Sequence, residues 1–275
     1  MVDAHPETAV PIVPGYAIWP FLLIAFGLAW GLVAALILFT DTITQLFGEV
    51  SATHPLFILA VYSPAIAAFA IVSWYGGWRG LKRFLSRLLL WRVSLGWYAV
   101  VILVIPLIFM AGSLLKGNLF TAPLPFTSFS AALSAMAFML ILGPIEEFGW
   151  RGLALPLLQR RLAPIWAGLV LGAIWAVWHV PAFFLGGTPQ SAWGIMPFLI
   201  GSVAVSLILT ALFNASRGSI LLAALFHFQL NNPLWPDAQP YDTVFFVFAA
   251  AIVVWVQRDT MFARGQAITR VIPAP

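Results

Sequence analysis

Six polar residues set among apolar ones carry the chemistry of this sequence: Glu146, Glu147, Arg151, His179, His227 and Asn231. The first three interrupt a long apolar run, Ile141-Leu142-Gly143-Pro144-Ile145-Glu146-Glu147-Phe148-Gly149-Trp150-Arg151-Gly152. A charged side chain at the centre of a bilayer costs about 2.5–3.5 kcal/mol on insertion scales, so charges placed there are functional candidates. On a helix that turns about 100° per residue, Glu147 and Arg151 fall one turn apart and neutralise one another. Glu146 points about 100° away from Glu147. It has no partner on its own helix, which makes it the candidate general base. Gly143 and Pro144, just before it, loosen the helix.

His179 closes the segment Trp175-Ala176-Val177-Trp178-His179, with Pro181 two residues on. Alone it would more often be a packing residue than a ligand. His227 and Asn231 are again one turn apart, and Asn232 and Pro233 follow. Lipid offers no hydrogen bonds, so this pair needs a polar cavity to face. A glutamate, two histidines and an asparagine can hold a water, accept its proton and stabilise an oxyanion, directly or through a divalent metal. The reaction class is hydrolysis, with an amide as the expected bond. Other hydrolase signatures are missing: there is no His-Glu-x-x-His pair, no Gly-x-Ser-x-Gly elbow and no cysteine. Asp242 lacks a second intramembrane aspartate, so an aspartyl mechanism is not supported.

The elements that must position these groups are apolar helices. Of 275 residues, 62% are hydrophobic and 8% charged, and the mean hydropathy is +1.00, which excludes a soluble globular domain. The expected fold is all-α: a polytopic membrane protein of about eight transmembrane helices, near 16–39, 55–75, 95–115, 129–150, 164–185, 195–213, 218–232 and 241–257. An even number of spans puts both termini on one side. Every Lys and Arg except Lys116 lies on that side, so the positive-inside rule makes the basic face and both termini cytoplasmic, in the plasma membrane if the source is bacterial. The net charge of +4 is thereby a topology signal, and no nucleic-acid partner is expected. The first fifteen residues lack the positive n-region of a signal peptide. The basic linker 76–92 alternates apolar and cationic residues and reads as an amphipathic interfacial helix. Trp19, Trp74, Trp91 and Trp97 lie near span ends, as in an aromatic belt, while Trp30 lies within a span.

Taken together, Glu146-Glu147-x-x-x-Arg151-Gly152, then Trp175-x-x-x-His179, then Arg217-Gly218-Ser219 opening a helix with His227-x-x-x-Asn231, resembles the CPBP family. That family includes type II CAAX prenyl endopeptidases and bacteriocin-processing and immunity proteins. The resemblance covers about residues 130–232 and divides the chain into three parts. These are an N-terminal transmembrane region (1–128) containing the linker 76–92, a CPBP-like catalytic core (129–232), and a last transmembrane helix with its tail (233–275). One departure is Trp175, where the family usually has Phe, an aromatic exchange expected to matter little.

The resemblance implies an intramembrane protease whose cavity opens toward the cytoplasm. In it Glu146 activates water, His179, His227 and Asn231 position the water and stabilise the oxyanion, and Glu147 with Arg151 supports the site. The implied partners are the lipid bilayer and a membrane-anchored peptide or protein, prenylated only where prenylation exists. The cofactor stays open. A His₂Glu site for a divalent metal such as zinc is one option, a metal-free glutamate mechanism the other, and a His-Asn pair one turn apart is not a zinc signature. The alternatives are a non-catalytic immunity or scaffold protein of the same fold, or a small proton-coupled transporter, although no inverted repeat is visible.

Overall fold

The structure is a computed structural model that describes residues 13–121, 126 and 128–274. Most of the first fifteen residues therefore lie outside the described residues. Every regular element among the described residues is helical. In chain order the long elements are α1 (Ile18–Leu38), α2 (Ser63–Leu85), α3 (Leu95–Lys116), α4 (Phe129–Gln159), α5 (Pro164–Trp178), α6 (Ile195–Ala215), α7 (Ile220–Leu230) and α8 (Tyr241–Val256). Five of them, α5 being extended by a 3-10 turn to Phe184, are long and apolar enough to cross a membrane. The short helix Pro55–Val61 and α2, bent by 54° at their junction, make a sixth span. The protein is thus an integral, multi-pass membrane protein. At 11 residues α7 is about 16 Å long, half of a hydrocarbon core of about 30 Å, so it is too short to cross one. His227 and Asn231 sit at its C-terminal end.

Small residues set the helix spacing. In lipid, helices gain nothing by hiding apolar surface from one another and associate instead by close packing. Gly168 and Gly172 let α5 lie directly on α6: a Cβ on Gly172 would stand 2.9 Å from the Val203 Cα, and the Ser206 hydroxyl donates to the Gly168 carbonyl at 3.0 Å. Gly149 does the same for α4 and α2, since a Cβ there would stand 2.5 Å from the Pro64 carbonyl oxygen. These contacts fix the two helices that carry Glu146 and His179.

The two ends of the bundle are chemically distinct. At the basic end, Arg160 donates to the carbonyls of Val13 and Thr269, and Gln159 donates to that of Ile268. Ser219 bonds to the Leu90 carbonyl. The linker is only partly the expected interfacial helix. It starts at a kink at Gly77, whose φ of 58° favours glycine, and leaves Trp78 and Lys82 exposed. Arg87, however, is 3% exposed and donates to three carbonyls, those of Val271 (3.3 Å), Gly218 (2.9 Å) and Arg270 (2.5 Å). Its charge clamps the C-terminal stretch to the bundle instead of meeting headgroups. Trp97 also departs from the belt: it is buried, whereas Trp19, Trp74 and Trp91 are exposed. At the other end, Lys116 Nζ pairs with Asp237 Oδ2 at 2.6 Å, Asn118 donates to the Asp237 carbonyl, and Gly187 packs on the Val50 carbonyl.

Candidate active site

The backbone of α4 changes character where the sequence places Gly143 and Pro144. It is α-helical to Leu142, a 3-10 turn over Pro144–Glu146, α-helical over Glu147–Gly149 and a π turn over Trp150–Ala154, then α-helical again from Leu155 to Gln159. Proline lacks the N–H that a continuing α-helix would need, and π turns occur disproportionately at functional sites. The bare backbone of Gly143 accommodates α7. A Cβ there would fall 2.0 Å from Asn231 Nδ2 and 3.1 Å from His227 Nε2. Any larger residue at 143 would push both polar groups aside.

Glu147 and Arg151 are fully buried. Arg151 Nη1 donates to Glu147 Oε1 at 3.1 Å, and His227 Nδ1 donates to the same oxygen at 2.6 Å. Glu147 therefore ties α4 to α7 and aims the other imidazole nitrogen, Nε2, toward Gly143. The Arg151 guanidinium also lies over the Trp175 ring, 4.8 Å from its centre. Arg151, counted with the basic face in the sequence, thus belongs to the site and not to the surface.

Glu146 turns the other way. Its Oε2 accepts from Trp175 Nε1 at 2.9 Å and from Trp150 Nε1 at 3.3 Å. Both of its hydrogen bonds use Oε2 and none uses Oε1, and the residue lines a cavity of about 440 Å³. His179 Nδ1 donates to the Trp175 carbonyl at 2.8 Å, which leaves Nε2 as a free acceptor, and the ring is held between Trp178 and Phe198. Glu146, His179, His227 and Asn231 all line the cavity, whereas Glu147 and Arg151 stand behind it. All six residues singled out in the sequence are therefore in one place, four facing the cavity and two supporting from beneath. The remaining walls are largely apolar and come from the whole bundle, with Trp30, Phe57, Phe109 and Phe246 among them.

Two donors were not expected: the indole N–H groups of Trp150 and Trp175. Trp150 lies one turn after Glu146 and was legible as a neighbour. Trp175 is the residue whose exchange for Phe was expected to matter little, yet phenylalanine could not make its hydrogen bond to Glu146.

Among the described residues, no three His, Asp or Glu side chains converge as metal ligands. Each histidine is held through Nδ1 with Nε2 free, as metal-ligating histidines are, and Glu146 keeps Oε1 free; because these donors do not converge, no step is derived through a metal.

The family described as type II CAAX prenyl endopeptidase Rce1-like matches residues 128–232, the segment that holds all six residues. Through this segment the chain is similar to the CAAX proteases. Over 141 residues, 46% of the chain, it is 33% identical to CAAX prenyl protease 2 of Methanococcus maripaludis. The match covers 52% of that protein, so the chain spans about half the length of its curated relative. The segment shared with the family includes the polar end of the cavity, while Trp30, Phe57, Phe109 and Phe246 lie outside it.

The cavity is lined by Ala52, Pro189, Gln190 and Asp237 at the Lys116 end and by no residue of the basic-end network. The lining thus reaches the Lys116 end of the bundle and not the basic end.

Proposed function

We propose that this protein is an intramembrane endopeptidase that hydrolyses a peptide bond of a membrane-anchored substrate. One observation carries the reading: a glutamate oxygen left free in an apolar cavity that it shares with His179, His227 and Asn231. A water held between Glu146 Oε1 and His179 Nε2 loses its proton to Glu146 as its oxygen attacks the carbonyl carbon. The oxyanion that forms takes a hydrogen bond from the Asn231 amide and, when His227 carries both protons, another from its Nε2–H. The C–N bond breaks as Glu146 passes the proton to the leaving amine. The apolar walls suit an apolar peptide end, with or without a prenyl chain.

The test is cleavage by the detergent-purified protein of peptides with apolar C-termini, half of them prenylated. Wild type is expected to cut at an internal bond and His227→Ala to fall to background. Undiminished cleavage by His227→Ala would remove the proposed site.

Trp175 has a positioning role that is separately measurable. Trp175→Phe keeps the ring beside Arg151 but removes one N–H···carboxylate bond, and hydrogen bonds to charged groups are worth about 1.5–3 kcal/mol. If that bond orients the base in the transition state, kcat falls about 10- to 100-fold while KM changes little. A rise in KM at constant kcat would instead make Trp175 a simple wall of the cavity.

A further inference from the structure

The two ends of the bundle, and not the spans between them, decide from which side a substrate reaches Glu146. At one end Val13, Leu90, Gly218 and the stretch Ile268–Val271 are held in a single network of hydrogen bonds by Arg87, Gln159, Arg160 and Ser219. With Arg151 withdrawn into the site, every remaining Lys and Arg but Lys116 still belongs to the loops and tail of this end. Lys116 sits at the other end and is neutralised by Asp237. The loops are short and their cations lie close to span ends, the setting in which Lys and Arg govern orientation. The cavity lining reaches the Lys116 end through Ala52, Pro189, Gln190, Trp193, Trp235 and Asp237, which we take as its rim.

We propose that the catalytic cavity opens on the extracytoplasmic face of the membrane, opposite the basic end. Its substrates are then membrane-anchored peptides whose cleavable bond is presented from outside the cell, not the C-termini of cytoplasmic proteins. The orientation stands on the charge asymmetry and the position of the rim; the substrate class rests also on the endopeptidase reading. An apolar cavity lined by aromatic side chains, with no lysine or arginine in its lining, suits an apolar segment leaving the outer leaflet.

The chain has no cysteine, so single-cysteine variants report position without a background. Thr53→Cys and Ser191→Cys are exposed near the rim, while Ser86→Cys and Gln266→Cys are exposed at the basic end. A membrane-impermeant maleimide is added to intact cells of a bacterial host, and again after permeabilisation. The rim pair is expected to label in intact cells at least about ten-fold more than the basic-end pair, which labels only after permeabilisation. The reverse pattern, or equal labelling of all four in intact cells, overturns the orientation. Two tethered reporters carrying the same cleavable apolar segment, one presented outside and one inside, then test the substrate class. Cleavage of the outer reporter alone supports it, and cleavage of the inner one overturns it. Rim labelling from outside with neither reporter cut upholds the orientation and overturns the endopeptidase reading beneath the substrate class.

Discussion

Glu146→Gln is expected to reduce peptide cleavage by about 10³-fold or more while leaving the folded bundle intact, because it removes a proton acceptor and little else. Glutamine has nearly the shape of glutamate, and its carbonyl oxygen can still accept from the indoles of Trp150 and Trp175. Its amide cannot take a proton from water. A general base contributes about 10²–10⁴-fold, and here the same group must also return the proton to the leaving amine, so the upper part of that range applies. The checks are single-turnover cleavage and thermal unfolding in the same detergent. Cleavage within a few-fold of wild type would rule Glu146 out as the base. Loss of activity together with loss of folded protein would give Glu146 a structural role that its free Oε1 does not suggest.

How far the sequence could be read depended on which physical constraint was local. An ionisable residue in an apolar run is costly wherever it sits, so Glu146, Glu147, Arg151, His179, His227 and Asn231 stood out without any knowledge of tertiary contacts. Helical spacing alone gave the Glu147–Arg151 pair, and it also placed His227 beside Asn231. Long-range contacts could not be obtained that way. The hydrogen bond from His227 to Glu147 joins residues 80 apart, and the one from Trp175 to Glu146 joins residues 29 apart. Nothing in the apolar neighbourhood of Trp175 distinguishes an indole that donates to a carboxylate from one that only packs. Arg87 misled for the opposite reason. It sits in a run of cations whose amphipathic pattern suits an interface, but its guanidinium found three backbone carbonyls from distant loops. The Lys116 end of the cavity was likewise invisible, because it is assembled from three separate connections between helices.

Glu147→Ala is expected to be the most damaging substitution in the site, in stability as well as activity. Glu147 is the carboxylate partner of the fully buried Arg151, so its removal leaves a guanidinium uncompensated, a loss worth about 3–5 kcal/mol in comparable buried pairs. Trp175, over whose ring Arg151 lies, offsets only part of this. His227 also loses the acceptor on Nδ1, and with it the bond that ties α7 to α4 and holds Nε2 in place. The unfolding transition should move well below that of Glu146→Gln, and cleavage should vanish. A second substitution separates the two effects. Arg151→Met in the Glu147→Ala background removes the orphaned charge and fills much of its volume, so most of the lost stability should return. Activity should not return, because His227 still has no acceptor. Recovery of cleavage along with stability would mean that Glu147 acts only by neutralising Arg151. Recovery of stability alone would assign it the second task of orienting His227.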